Sequence, residues 1–73
     1  MDKKTVKITV NGEAKEINTD YLLIDLLNNL NLGQLDFGIA ASINSVIVPK
    51  QEWESLTLKA DDVVEIVRAF QGG

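Results

Sequence analysis

Cysteine and histidine are both absent from this 73-residue chain. Their absence excludes a disulfide framework and the usual zinc, haem and iron–sulfur sites. It also excludes a Cys or His nucleophile and a His general base, so no Ser has the partner that a catalytic triad needs. We therefore expect a chain that is not itself an enzyme and that binds no metal or cofactor.

Positive charge and long apolar runs are also scarce. Seven Lys and Arg residues stand against eleven Asp and Glu, for a net charge of −4, whereas nucleic-acid-binding domains carry a basic stripe. No apolar run is long enough to span a membrane, and the first residues lead into an alternating segment instead of a secretory signal. We expect a cytoplasmic location, with neither nucleic acid nor a membrane as a partner.

The chain has the size of one small domain. Such a domain buries only about 60% of its unfolded surface, and an enclosed ligand pocket would take up much of that core. The apolar fraction of 45% and the charged fraction of 25% are ordinary globular values. We expect residues 1–70 to fold as one domain and residues 71–73 to form a flexible tail.

A hairpin is predicted at the start. Apolar and polar residues alternate over residues 6–10, which indicates a strand with one buried face. Asn11 and Gly12 follow, and this pair favours a two-residue turn because both positions need positive φ. The return strand, residues 13–17, has a modest apolar content and is expected at a sheet edge.

A leucine-rich stretch predicts the one main helix. Asn18, Thr19 and Asp20 are typical N-cap residues, and Gly33 is a candidate C-cap. We expect a helix from about Asp20 to Leu30 whose leucines face the core and not a partner. The leucines at this spacing are Leu22, Leu23, Leu26, Leu27 and Leu30.

Two short strands and a helical turn are predicted after a loop over residues 34–37. Residues 39–43 and 46–48 flank turn chemistry at residues 44–45, and Pro49 ends the second strand or places it at an edge. A helical turn over residues 50–53 should seat Trp53 on the core; a ligand-stacking role is the alternative. Asp61 and Asp62 are expected to be turn residues and not a reacting carboxylate pair.

The last strand is predicted at the centre of the sheet. Residues 63–70 are apolar on both faces, which is typical of a central strand. The elements together predict a two-layer α+β domain, a mixed four- to five-stranded sheet with one main helix on one face. The other face should be partly exposed, with Arg68 and Phe70 as a docking surface. The alternative is that Phe70 caps the core and Arg68 is a solvated charge at the rim.

Gln71, Gly72 and Gly73 form the tail. Two glycines add nothing to a core and are costly to order, so one interpretation is a frayed end. The other is a thin probe that threads a narrow slot and presents its carboxylate to a partner. A carboxylate needs activation before it can donate an acyl group, so the tail would be the substrate of another enzyme. We expect the tail not to be ordered in the free protein.

Several of these features together resemble a known family. Residues 41–53, with Val48-Pro49-Lys50 and then Trp53, are similar to the sulfur-carrier proteins of thiamine biosynthesis, the ThiS family. The hairpin, the leucine-rich helix, the acidic turn and the closing Gly72-Gly73 match this family in the same order. The resemblance covers nearly the whole chain and implies the ubiquitin-like β-grasp fold.

The resemblance also implies a mechanism and partners. A ubiquitin-activating-like enzyme would use its own ATP and Mg²⁺ to adenylate the carboxylate of Gly73, with Gly72 and Gln71 threading its active site. A persulfide from a cysteine desulfurase would supply the sulfur of a thiocarboxylate, and thiazole synthase would receive it. The chain departs from the family at the start of the helix and at the bulky Phe70-Gln71 pair.

Two other functions remain open from the sequence. One is the related carrier of molybdopterin synthesis, whose tail would insert into a large synthase subunit. The other is a β-grasp interaction or regulatory module without tail chemistry. The short length and the Val-Pro-Lys-x-x-Trp segment favour the thiamine pathway over the first, and the acidic charge and terminal glycines disfavour the second.

Overall fold

The computed structural model describes residues 4–30 and 38–68. In these ranges one helix, α1, packs on one face of a five-stranded mixed sheet of order β2-β1-β5-β3-β4. The predicted two-layer α+β architecture is confirmed. The elements are β1 (Thr5–Val10), β2 (Glu13–Asn18), α1 (Leu23–Asn29), β3 (Ile39–Ile43), β4 (Val46–Val48), a 3₁₀ helix (Lys50–Glu52) and β5 (Val63–Arg68).

The first hairpin forms as its turn residues predict. Asn11 and Gly12 have φ values of 49° and 87°, and β1 pairs with β2 in antiparallel register from Thr5↔Asn18 to Val10↔Glu13. β2 is an edge strand, as its composition predicts. Its charged side chains discourage pairing with another sheet.

β5 lies at the centre of the sheet, which confirms its prediction as a central strand. It runs parallel to β1, with Val10 opposite Val64, and antiparallel to β3, from Ile39↔Arg68 to Ile43↔Val64. A parallel neighbour cannot be reached by a hairpin. The intervening chain, including α1, makes the crossover between β1 and β5.

The core fills the space between α1 and the sheet. The predicted leucine face of α1 is confirmed at Leu23, Leu26 and Leu27, which are fully buried. Leu22, which is predicted to belong to this face, lies before the helix as its N-cap. Leu58, which the sequence did not mark as core, is buried as well. The buried hydrophobic residues are Ile8, Val10, Ile17, Leu23, Leu26, Leu27, Ala41, Val48, Trp53, Leu58 and Val64.

The predicted start of the helix is wrong by three residues. α1 begins at Leu23 and not at Asp20. Asn18 is the last residue of β2, and the Thr19 N–H donates to the carbonyl of Lys4 at 3.2 Å. Asn18 and Thr19 are therefore bonded within the first hairpin, and Asp20 lies in the turn that follows it.

Long-range backbone contacts fix the real start of α1. The Leu23 N–H donates to the Leu56 carbonyl at 2.9 Å, and the Leu58 N–H donates to the Tyr21 carbonyl at 2.9 Å. These bonds hold Leu22 in an extended conformation, with φ −95° and ψ 157°. The Asp25 carboxylate then caps the helix by accepting the Leu22 N–H at 3.1 Å. The distant segment at residues 56–58 thus decides where the helix begins.

Trp53 closes one side of the core, which confirms the predicted core role. It directly follows the 3₁₀ helix, and only 3% of its surface is exposed. Its indole N–H donates to the carbonyl of Val48 at 3.2 Å, and its own carbonyl accepts the N–H of Ile24 at 3.0 Å. Trp53 therefore connects β4 to α1.

Several predictions concern residues outside the described ranges. The C-cap predicted at Gly33 is not one of them: α1 ends at Asn29 and its C-cap is Leu30, so that prediction is wrong. The predictions outside the described ranges are the loop at 34–37, the end of the last strand, and the order of the tail at 71–73. These remain predictions from the sequence. In the described ranges no helix is long and apolar enough to cross a membrane.

Candidate functional site

The end of β5 is the part of the structure that lies nearest in sequence to the predicted reactive tail. Arg68 is the last described residue there; it is exposed and lies opposite Ile39 of β3. Phe70, Gln71, Gly72 and Gly73 lie beyond it, outside the described residues, so their roles stay predictions. The candidate site is therefore built from the surface around the end of β5.

Arg68 lies on the helix side of the sheet and not on the uncovered face. Side chains alternate along a strand, and Arg68 shares its side of β5 with Val64, which is fully buried, and with the partly buried Ile66. Burial along this side of β5 decreases from Val64 to Ile66 to Arg68, which is exposed. The docking role of Arg68 remains a prediction. A docking surface on the uncovered face of the sheet must be formed by other residues.

The uncovered sheet face carries an apolar surface next to the end of β5. The exposed side chains include Ile47, at 71% exposure, and Val67, at 60%. The strand registers place Val67 opposite Ala40 and Ser42 opposite both Ile47 and Glu65. We name this surface the open-face patch, and its members are Ala40, Ser42, Ile47, Glu65 and Val67.

The open-face patch has the character of a protein contact. Its hollow holds about 100 Å³, which is well below the 300–1,000 Å³ of small-molecule sites. Exposed apolar groups that adjoin one another are typical of surfaces that bind a macromolecule. Glu65 puts a negative charge within the patch, which favours a partner surface with a basic or hydrogen-bonding group at that position.

The sequence contained a signal for this patch. It predicted a two-sided apolar strand and only one helix, which together leave one apolar face uncovered. The sequence predicts a docking role for Arg68 and Phe70 but none for Ile47 or Ala40. The neighbours of Val67 become visible only when the order β5-β3-β4 is known, because that order brings three separate strands together.

Val46 lies next to Ile47 in the chain but faces the other way. It is 66% exposed, and its register with Ile43 places it on the helix side. There it borders a different hollow of about 300 Å³, together with residues such as Leu56 and Lys59. The two neighbours thus have almost equal exposure on opposite faces of β4.

The acidic pair at 61–62 belongs to a turn, as predicted. The Asp62 carboxylate accepts the N–H of Lys59 at 2.8 Å and the side-chain amide of Asn44 at 3.1 Å. Asp61 has a φ of 70°. Both Asp62 oxygens are therefore engaged in holding the turn before β5. Across residues 4–30 and 38–68, no three acidic side chains form a group that could hold a metal ion.

Two further hollows lie away from the end of β5 and have polar linings. One holds about 260 Å³ beside β2 and Tyr21, and the other about 290 Å³ around residues 18–20 and Lys4. At the first, the Thr5 hydroxyl donates to the Glu16 carboxylate at 2.8 Å. Neither hollow brings together residues that the sequence singled out for chemistry.

Comparison with a solved structure supports the fold. The crystal structure of a thiamine biosynthesis protein (ThiS) from Geobacter metallireducens aligns with a TM-score of 0.76 and 24% sequence identity. The alignment covers 93% of this chain and 99% of that one. At this identity the likeness is evidence of fold, and it confirms the predicted ubiquitin-like β-grasp arrangement. A search of curated proteins found no significant match.

Comparison with family models identifies the lineage of the chain. The model of the ThiS family matches residues 8–73, which include all five strands from Ile8 of β1 onward, the helix and the Gly72-Gly73 pair. The match covers far more than half of the sequence, and it agrees with the family named from the Val-Pro-Lys-x-x-Trp segment. The chain belongs to the ThiS family of small sulfur carriers.

Proposed function

We propose that this chain carries sulfur as a thiocarboxylate on Gly73 and donates it to the thiazole ring of thiamine. The observation that carries the proposal is the family match, which runs through Gly72 and Gly73. The full sequence contains no Cys or His, so the sulfur needs an attachment point other than a thiol side chain. The carboxylate of Gly73 is that point.

The first step of the proposed reaction activates this carboxylate. A carboxylate oxygen attacks the α-phosphorus of ATP in the partner adenylating enzyme, and pyrophosphate leaves. The product is an acyl adenylate, whose carbonyl carbon is open to attack and whose leaving group is AMP. Mg²⁺ held by the partner neutralises the phosphate charge. This chain supplies the acyl group, and the partner supplies ATP, the metal ion and the catalytic side chains.

The second step transfers the sulfur. The terminal sulfur of a persulfide, supplied by a cysteine desulfurase, attacks the acyl carbon and displaces AMP, which leaves an acyl disulfide. A thiol of the partner system then cleaves the S–S bond, is oxidised to a disulfide, and releases the thiocarboxylate. Thiazole synthase consumes this sulfur. Glycine suits these steps because it places no Cβ beside the reacting carbon.

The open-face patch supports the proposal because it offers an apolar surface beside the end of β5, the strand that precedes the tail in the sequence. Gly73 lies five residues beyond Arg68, and five extended residues span at most about 17 Å. A partner that holds Ile47 and Val67 can therefore receive the carboxylate in a recessed site. In this arrangement the body of the domain provides binding energy and the tail provides the reactant.

Intact-mass measurement tests the proposal. The chain is incubated with the adenylating enzyme, a cysteine desulfurase, cysteine and MgATP, and the expected product is heavier by the exchange of one oxygen for one sulfur. Omission of ATP should abolish the change. Deletion of Gly73 should also abolish it while leaving the circular dichroism spectrum unaltered. If the mass stays the same with every enzyme set tried, this chain does not carry sulfur on its tail.

The same measurement separates the competing functions. Enzymes of the thiamine pathway should load the chain faster than the adenylating enzyme of molybdopterin synthesis, and thiazole synthase should discharge it. Faster loading and discharge by the molybdopterin enzymes would assign the chain to that pathway instead. Failure with both sets would leave the β-grasp interaction module as the better description.

A further inference from the structure

Asn11 holds β5 from the side of β1, beyond the last paired residues of the two strands. The β1–β5 pairing ends at Val10↔Val64, and the Asn11 N–H donates to the Val64 carbonyl at 2.9 Å. The Asn11 side chain then bonds the next residue on this edge of β5. Its Oδ1 accepts the Ile66 N–H at 2.8 Å, and its Nδ2 donates to the Ile66 carbonyl at 3.3 Å. The side-chain amide of Asn11 thus takes the place of one further residue of β1 in the pairing with β5.

Asn44 makes a similar arrangement at the opposite end of β5. It also begins a hairpin turn, and its φ of 51° is close to the 49° of Asn11. Its Oδ1 accepts the Val63 N–H at 3.0 Å, and its Nδ2 donates to the Asp62 carboxylate at 3.1 Å. The two asparagines therefore share residue type, turn position and number of side-chain bonds, but they hold different ends of the strand.

We propose that Asn11 is a positioning residue for the tail: its side-chain amide fixes the end of β5 from which the reactive carboxylate extends. This inference rests on the proposed function, because it concerns how the tail reaches the partner. Asn11 does not touch the reacting atoms. It acts through Ile66, which lies two residues before the last described residue of β5.

The position of Asn11 in the sheet explains why such a residue is needed. β3 pairs with β5 up to Arg68, but β1 turns away into its hairpin after Val10. The last part of β5 is therefore held along its β3 edge by a strand and along its β1 edge by one side chain. Without that side chain, Ile66 loses both partners on this edge, and the strand end is held by β3 alone, so it separates from the sheet more often. The partner would then have to order more of the chain before the tail enters its site.

Asn11→Gly tests this inference. Glycine accepts the positive φ of the turn, so the substitution removes the two side-chain bonds and keeps the hairpin. We expect the KM for this variant as the substrate of adenylation to rise about tenfold, because one further residue of the chain must be ordered when the partner binds. We expect kcat to stay within about twofold, because the acyl group and the catalytic groups are unchanged.

Asn44→Gly is the matched control. It makes the same change in a turn of the same kind, so its loss of thermal stability should be similar to that of Asn11→Gly. Its KM should remain that of the original chain, because the strand end beside the tail is untouched. Equal KM values for the two variants, whether raised or not, would overturn the inference and leave Asn11 with a structural role only.

A second readout needs no partner enzyme and separates this inference from the proposed function. In ¹⁵N-labelled protein, the heteronuclear NOE of Ile66, Val67 and Arg68 should fall in Asn11→Gly and not in Asn44→Gly. An unchanged NOE would overturn the inference even if the chain is adenylated normally. A selective fall would support it even if adenylation fails, in which case the proposed function alone is refuted.

Discussion

Ile47→Ser is expected to weaken binding of the adenylating enzyme without unfolding the domain. Ile47 is 71% exposed on the open-face patch. Full burial of such a side chain is worth about 1.5–3 kcal/mol, so covering the exposed part contributes about 1–2 kcal/mol. Because each 1.4 kcal/mol is a factor of about ten, the dissociation constant should rise about 5- to 30-fold.

Val46→Ser provides an internal control for this prediction. Val46 is 66% exposed on the same short strand, so both substitutions lose a similar β-branched side chain at a similar site. Each should change the free energy of unfolding by at most about 1 kcal/mol. Only Ile47 faces the open side of the sheet, and Val46→Ser should therefore leave the affinity within about twofold, a difference of less than 0.5 kcal/mol.

Isothermal titration calorimetry with the adenylating enzyme measures both affinities, and urea unfolding followed by circular dichroism measures both stabilities. Val67→Ser gives an independent test from β5, since Val67 is 60% exposed on the same patch. Equal affinities for Ile47→Ser and Val46→Ser would refute the reasoning. A larger loss with Val46→Ser would move the dock to the helix side of β4.

Three further substitutions test the fold by chemical unfolding. Trp53→Phe removes the indole N–H that bonds the Val48 carbonyl and should cost about 1–3 kcal/mol, since that carbonyl loses its partner. Gly12→Ala should lower the free energy of unfolding by about 1–2 kcal/mol, because a residue with a Cβ is strained at the φ of 87°. The added Cβ meets nothing within 4 Å, so no steric clash adds to this cost. Asp25→Ala removes the cap of α1 and should cost about 1 kcal/mol. A neutral result for any of these would contradict the role given to that contact.

Local sequence signals predicted most of the sheet correctly. Asn11-Gly12 indicates a tight turn because few residue pairs tolerate two positive φ values, and the turn forms there. β5 is apolar on both faces, and it lies at the centre. In both cases the decisive physical constraint acts within a few residues of the chain, where the sequence can be read directly.

The start of α1 could not be predicted in this way. Asn18 and Asp20 have the chemistry of N-cap residues, but Asn18 is already paired with Thr5 in the hairpin. The helix starts later because Leu22 bridges to Thr57, far along the chain. No local pattern contains that contact. The residues of the open-face patch could not be identified from the sequence for the same reason, because they come from three separate strands.

The presence of one α-helix in residues 4–30 and 38–68, on one face of the sheet, links the fold to the proposed chemistry. A second helix over the open face would bury Ile47 and Val67 and would add stability to a small core. It would also cover the surface next to the strand that leads to the tail. A carrier must present both a dock and a carboxylate to successive enzymes, and the dock must separate again after each step. An exposed patch with a hollow of only about 100 Å³ suits brief contacts of this kind better than a deep apolar groove, because it contributes moderate affinity and therefore permits fast release.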